Sequence, residues 1–167
     1  MQQKNILIII CDQLSATALS AYGNTYSSTP NLDGLAARSA VMEYAYTSCP
    51  LCQPARASFW TSRYPHQTGV LSNLPDQGFP AVSDDIPTLG ELFSHAGYDC
   101  VHFGKTHDYG ALRGFKVIES EEIHVPRTNP AIKFDYETYL DIDTTEKSVQ
   151  YLSSRPEGPF LMVSDLQ

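Results

Sequence analysis

Apolar side chains fall into short, separated blocks along this chain, and their spacing sets the expected elements. Residues 5–11 hold an unbroken Ile/Leu run, which suits a central parallel strand covered on both faces. A short helix is expected around residues 15–19, then a turn at Ala21-Tyr22-Gly23-Asn24. Thr29 reads as an N-cap with Pro30 at the first helical position, and Leu32, Leu35 and Ala36 form the apolar face. Residues 41–46 alternate weakly and predict a short strand. Pro54, with its fixed φ and missing N–H, predicts a helix that starts at Cys52 or just after it.

The second half continues in the same way. Residues 64–70 read as a loop punctuated by proline and glycine, and residues 75–85 as a polar loop over the surface or the mouth of a site. A helix is expected over 86–93, ended by Gly97, followed by a strand over 98–103. Residues 114–118 predict a short strand, and Glu119-Ser120-Glu121-Glu122 a solvated charge cluster. Tyr136, Tyr139, Leu140, Val149, Tyr151 and Leu152 are consistent with a helix over part of 135–154. A turn at 156–159 leads into a buried strand from Phe160, which runs into Ser164-Asp165-Leu166-Gln167. No repeat, low-complexity segment or internal domain boundary interrupts residues 1–167.

Composition narrows the function classes. The chain has 167 residues, long enough for one sizeable core. A net charge of −8 argues against nucleic-acid binding as the main activity, while leaving room for a local cluster of cations around a small anion. No apolar run approaches the ~20 residues that cross a bilayer. The apolar run at 6–10 is short for a secretory signal, so the protein is expected to be cytoplasmic, or else to have lost a signal segment. Four cysteines (Cys11, Cys49, Cys52, Cys100) make no disulfide framework at this length. Cys49-Pro-Leu-Cys52 leaves open a redox or zinc pair, or a disulfide in oxidised protein.

Three short stretches carry candidate chemistry. Cys52 stands where free backbone N–H groups and the helix dipole favour negative charge, and Arg56 lies one turn on. Asp12-Gln13 follows the first strand, where open α/β sheets place ligands; Asp12 could equally cap the next short helix. Gly104-Lys105-Thr106-His107 ends the 98–103 strand, with Lys105 and His107 at alternate positions able to face one side. Gly104 permits close backbone approach there. The plain alternatives are a solvated lysine and a core or surface histidine. His66 reads better as a surface or capping residue than as a catalytic one, and Asn73 as a turn residue.

Taken together, Cys52-Gln53-Pro54-Ala55-Arg56, Thr61-Ser62-Arg63-Tyr64-Pro65-His66-Gln67-Thr68-Gly69-Val70, Asp12-Gln13, Thr29-Pro30-Asn31-Leu32-Asp33 and Gly104-Lys105-Thr106-His107 resemble the N-terminal part of the type I sulfatases. Asp12-Gln13 and Asn73 are similar to the choline sulfatase and phosphonate monoester hydrolase branch. Three positions depart from the family pattern. Ala55 stands where serine is common, Ser62 where glycine is common, and Thr106 replaces tryptophan or methionine.

The resemblance implies an alkaline-phosphatase-like α/β fold, a mostly parallel sheet flanked by helices, of which residues 1–167 are the N-terminal portion. It implies conversion of Cys52 to formylglycine by a formylglycine-generating or maturase enzyme. It also implies a divalent metal, Ca²⁺ with Mg²⁺ or Mn²⁺ as alternatives, held by Asp12, Gln13 and the modified Cys52. The hydrated aldehyde would attack the sulfur of a small sulfate ester or sulfated carbohydrate. Arg56, Lys105 and Asn73 would neutralise the sulfate oxygens, with His107 supporting Lys105. The family's second half supplies further metal ligands, which leaves the chain short of the ~6–8 oxygens a Ca²⁺ site wants. Residues 1–167 are therefore expected to be an inactive N-terminal piece ending on an edge strand. A phosphonate or phosphate monoester hydrolase, and a non-catalytic fragment, are the other readings.

Overall fold

The computed structural model describes residues 3–73, 80–118 and 140–167. The expected charge cluster at 119–122 and the positions of Tyr136 and Tyr139 lie outside them. The chain divides into two compact units, residues 1–12 with 48–167 and residues 13–47.

Among the described residues the larger unit is built on four parallel strands: β1 (Ile6–Cys11), β2 (Asp99–Gly104), β3 (Lys116–Ile118) and β4 (Phe160–Leu166), in the order β1-β4-β2-β3. Among the described residues four helices belong to the same unit, α2 (Cys52–Thr61), α3 (Pro65–Thr68), α4 (Leu89–His95) and α5 (Leu140–Ser153), and α1 (Pro30–Ala36) lies in the smaller unit. Strand alternation sorts the core onto two faces. Val163 joins Ala57, Trp60, Val70, Val82, Ala111 and Leu112 on the α2 side. Val101, Phe103, Phe160 and Met162 pack with Tyr151 of α5 on the other. β2 and β4 are buried along nearly their whole length, as parallel strands covered on both faces are, and β4 opens on the continuous apolar run Phe160-Leu161-Met162-Val163.

Strand order corrects two expectations. β1 lies at the end of the described sheet, with Leu7 and Ile9 exposed, so its Ile-rich run is buried on one face only. β4, expected as an edge, is instead paired on both sides, by β1 and β2. Neighbour choice among parallel strands depends on long crossovers, and an apolar run does not encode it.

Helix boundaries moved where capping chemistry was overlooked. α4 starts at Leu89, not 86, because Thr88 and Glu91 form a capping box. The Thr88 hydroxyl accepts from Glu91 N at 3.3 Å, and Glu91 Oε2 accepts from Thr88 N at 2.9 Å. Residues 64–70, expected as a loop, contain α3. Pro65 sits at its first position, Gln67 Oε1 accepts from Tyr64 N, and Gly69 closes it at φ 79°. His66 is exposed and stacks on Tyr64, as expected of a surface histidine. α2 ends on Ser62 at φ 55°, a left-handed cap that glycine adopts without steric cost.

The smaller unit contains two short 3-10 turns (Ala16–Ala18, Ser20–Tyr22) and α1 (Pro30–Ala36). Ser15, not Asp12, supplies the side-chain cap of the first turn. Thr29 precedes α1, but its hydroxyl accepts from Ser20 N instead of capping the helix backbone. The strand expected over 41–46 is absent. Met42, Tyr44 and Tyr46 are exposed, and without a pairing partner an extended segment gains no ladder hydrogen bonds.

Candidate active site

The carboxyl ends of β1, β4 and β2 and the start of α2 meet at one cluster of side chains. This is where parallel α/β sheets bind ligands. Asp12 follows β1 directly and continues its pairing, with Asp12 N donating to Leu166 O at 2.9 Å. Lys105 follows β2 in the same way, its N–H donating to Asp165 O at 3.1 Å. Cys52 is the first residue of α2, and the side-chain Oδ1 of Asn73 accepts from the next N–H, Gln53 N, at 2.8 Å. Asn73 thus caps a helix whose own N-cap, Leu51, has no side chain able to do so.

Four charged groups interlock at this point. Lys105 Nζ lies 2.8 Å from Asp12 Oδ2. Arg56 Nη2 lies 3.2 Å from Asp12 Oδ1 and 2.9 Å from Asp165 Oδ1, while Nη1 donates to Asp165 Oδ2 and, at 3.3 Å, to the carbonyl of Lys105. The Cys52 thiol is 3.9 Å from Asp12 Oδ2. Burial pushes the Asp12 carboxyl up, but the Lys105 ammonium and then the Arg56 guanidinium outweigh it and hold the group below its ordinary value. Burial likewise works against the charge on Arg56. The hydrogen bonds and charges of Asp165 and Asp12 win, so the guanidinium is held firmly protonated. The Arg56–Asp165 pair is fully desolvated on the carboxylate side, with Asp165 at 0 % side-chain exposure. Removing one partner of such a pair costs about 3–5 kcal/mol, because the survivor is an uncompensated buried charge.

The structure brings Asp12, Cys52, Arg56, Lys105 and Asn73 to this end of the sheet. Two other candidates are placed differently. Gln13 is exposed, adopts φ 58° and belongs to the smaller unit. His107 does not alternate with Lys105 along a strand as expected. β2 stops at Gly104, whose φ is 90°, and His107 itself has φ 39°. Gly104 earns its place by close approach: a Cβ there would stand 2.1 Å from the Asp165 carbonyl oxygen. All four cysteines are free thiols.

Asp165 was overlooked in the sequence. The signal that singled out Asp12, a carboxylate at the exit of an apolar strand, applies equally to Asp165 after Phe160-Leu161-Met162-Val163. His102 also escaped notice. It is buried against Trp60 and Phe115, with Nε2 3.5 Å from Asp165 Oδ2 and neither ring nitrogen hydrogen-bonded.

As a metal centre the cluster is partial. Its oxygen donors are of the hard type that Ca²⁺ or Mg²⁺ takes, but the described residues hold no group of three or more His, Cys, Asp or Glu side chains suited to a metal ion. No helix among them is long and apolar enough to cross a membrane.

Known proteins resolve the family of this chain. Residues 4–164 match the Sulfatase family model. A Delta 4,5-hexuronate-2-O-sulfatase of Bacteroides thetaiotaomicron is 43% identical over 166 residues, 99% of this chain and 34% of that protein. A choline-sulfatase of Rhizobium meliloti is 40% identical over 114 residues, 67% of this chain and 21% of that protein. The structure of a 2-O GAG sulfatase superposes with a TM-score of 0.83 at 42% identity, covering 99% of this chain and 35% of the other. The chain therefore spans about a third of the length of the hexuronate sulfatase and of the 2-O GAG sulfatase structure. With its parallel sheet, its cysteine at the start of α2 and its family match over nearly every residue, the chain belongs to the sulfatase family.

Proposed function

We propose that residues 1–167 form the N-terminal part of a longer sulfatase that hydrolyses sulfate monoesters of sugars, and that this part alone is inactive. The single observation that carries the reading is the juxtaposition of Cys52, at the start of α2, with Asp12, Arg56 and Lys105. The family match and the hexuronate 2-O-sulfatase relative support the reaction and the substrate class. The net reaction breaks one S–O bond: sulfate ester and water give the alcohol, sulfate and a proton.

Cys52 is the precursor of formylglycine, whose aldehyde, once hydrated by addition of water, would supply the nucleophilic oxygen at position 52. The N-terminus of α2 gives that position the positive end of the helix dipole. Lys105 lines it with a mobile point charge able to hold a sulfate oxygen. Arg56, its fork occupied by Asp165 and Asp12, holds a fixed positive charge beside position 52 and orients the group there. Asn73 holds the helix start in place from outside and would contact the substrate anion. His107 supports Lys105 in the completed site.

Charge balance supports a cation. Arg56 and Lys105 are offset by Asp12 and Asp165, so these four groups sum to zero and offer little net attraction to an anion. A divalent ion, Ca²⁺ first among candidates, would be held by Asp12 with position 52 and ligands from the rest of the longer protein, and would supply the missing positive charge. A maturase that converts Cys52 is the implied partner.

The test is sulfate release by the full-length, matured protein from a 2-O-sulfated unsaturated hexuronate and from choline sulfate. Turnover of the sugar ester, abolished in Cys52→Ala, is expected. Failure to release sulfate from any ester, with position 52 fully converted, would contradict the reading. Residues 1–167 alone, given Ca²⁺, are expected to release none.

A further inference from the structure

We propose that Asp165 is a positioning residue: from the carboxyl end of β4 it fixes the Arg56 guanidinium and shares its charge, so that Arg56 is not drawn wholly onto Asp12. The inference rests on the sulfatase reading above and deepens it. Arg56 presents two nitrogens to Asp165, one to each carboxylate oxygen, and only one of them reaches Asp12, at 3.2 Å. A two-point fork sets the plane of the guanidinium, which a single contact cannot do. Both partners are buried, with side-chain exposures of 7% for Arg56 and 0% for Asp165, so the pair is shielded from solvent competition.

The same residue places the second cation. Asp165 O accepts from Lys105 N at 3.1 Å, and Gly104, opposite Asp165 in the ladder, leaves room for that approach. One residue thus orients Arg56 through its side chain and Lys105 through its backbone. Asp165 lies on the α2 face of the sheet because β4 alternates: Phe160, Met162 and Ser164 face α5, with Ser164 bonded to Ser148 of that helix. His102 stands behind the carboxylate on the neighbouring strand.

The electrostatic consequence concerns Asp12. Arg56 is buried and charged and needs a counterion. Without the negative charge of Asp165, Asp12 is the remaining carboxylate in contact with it, and a guanidinium drawn fully onto Asp12 would compete with any cation bound there. A pair that served only the fold would leave catalysis by the folded molecules unchanged. A positioning residue would alter kcat and cation affinity.

Asp165→Asn in the full-length, matured protein separates these outcomes, with conversion at Cys52 checked by mass. The account predicts a kcat lowered about 30-fold or more with KM within about threefold, the pattern of an interaction realised in the transition state. The Ca²⁺ concentration that half-saturates the thermal shift should rise about tenfold. In an Arg56→Ala background the same substitution should cost less than about twofold further, because both changes act through one group. Wild-type kcat and Ca²⁺ affinity in Asp165→Asn, or an equal loss in both backgrounds, would overturn the proposal. If Asp165→Asn does not fold, the pair variant Arg56→Ala/Asp165→Asn, which removes both charges together, is compared with Arg56→Ala. Equal kcat supports the positioning role and a further loss of about tenfold overturns it. A wild-type protein inactive on every sulfate ester would sink the sulfatase reading, and the Ca²⁺ shift would still decide the role of Asp165.

Discussion

Lys105 and Asp12 stand 93 positions apart in the chain and meet at 2.8 Å, each just past the carboxyl end of its own strand. The ion pair places a flexible ammonium beside the Cys52 thiol without burying it completely. Lys105→Met should lower kcat of the full-length enzyme about 10²–10³-fold, the usual loss when one preorganised donor is removed. Stability should change little, because Asp12 keeps Arg56 as a partner. Steady-state kinetics alongside thermal unfolding checks both halves of the statement.

Gly104→Ala tests how closely β2 and β4 approach at the site. A Cβ would collide with the Asp165 carbonyl oxygen and be forced onto a residue at φ 90°. The expected cost is more than about 2 kcal/mol, since a left-handed residue alone costs roughly 1–2. Denaturant unfolding measures it. An unchanged midpoint would show that the strands spread apart without penalty.

Much of this site was legible because its chemistry is local. Pro54 after Cys52, Arg56 one turn on, and Gly104-Lys105 at a strand exit are each readable within five residues. The role of Asp165 was not, although its position followed the same rule as Asp12. Its meaning depends on β4 lying between β1 and β2, a pairing set by long crossovers. The reversal of β1 and β4 between edge and interior has the same origin. His107 fails for a different reason: alternation was extended past a glycine whose positive φ ends the strand. The α4 boundary was readable all along in Thr88-Leu89-Gly90-Glu91, a capping box missed in favour of an apolar run that begins at Ile86.

Ser62→Gly should stabilise the protein. Ser62 closes α2 at φ 55°, where its Cβ is strained and a glycine is not. The gain is about 0.5–1 kcal/mol, less than the full strain because glycine also frees the unfolded chain. A raised unfolding midpoint at constant slope is the expected result.

Acid should weaken the fold in part through Asp99. The Lys116 ammonium at 2.6 Å holds its carboxyl below the ordinary value; burial opposes this, and the Tyr151 hydroxyl at 3.0 Å adds to it. A carboxyl lowered in the folded state contributes stability above its unfolded pKa, and that contribution is lost as pH falls through the folded one. The loss should therefore set in below roughly pH 4. Asp99→Asn should flatten that part of the stability profile.

The most direct measurement is the mass of the peptide carrying Cys52, taken from full-length protein that is actively releasing sulfate. The account predicts that the CH₂SH group has become an aldehyde, in proportion to the specific activity of each preparation. Full activity in a preparation whose Cys52 remains a free thiol would contradict it.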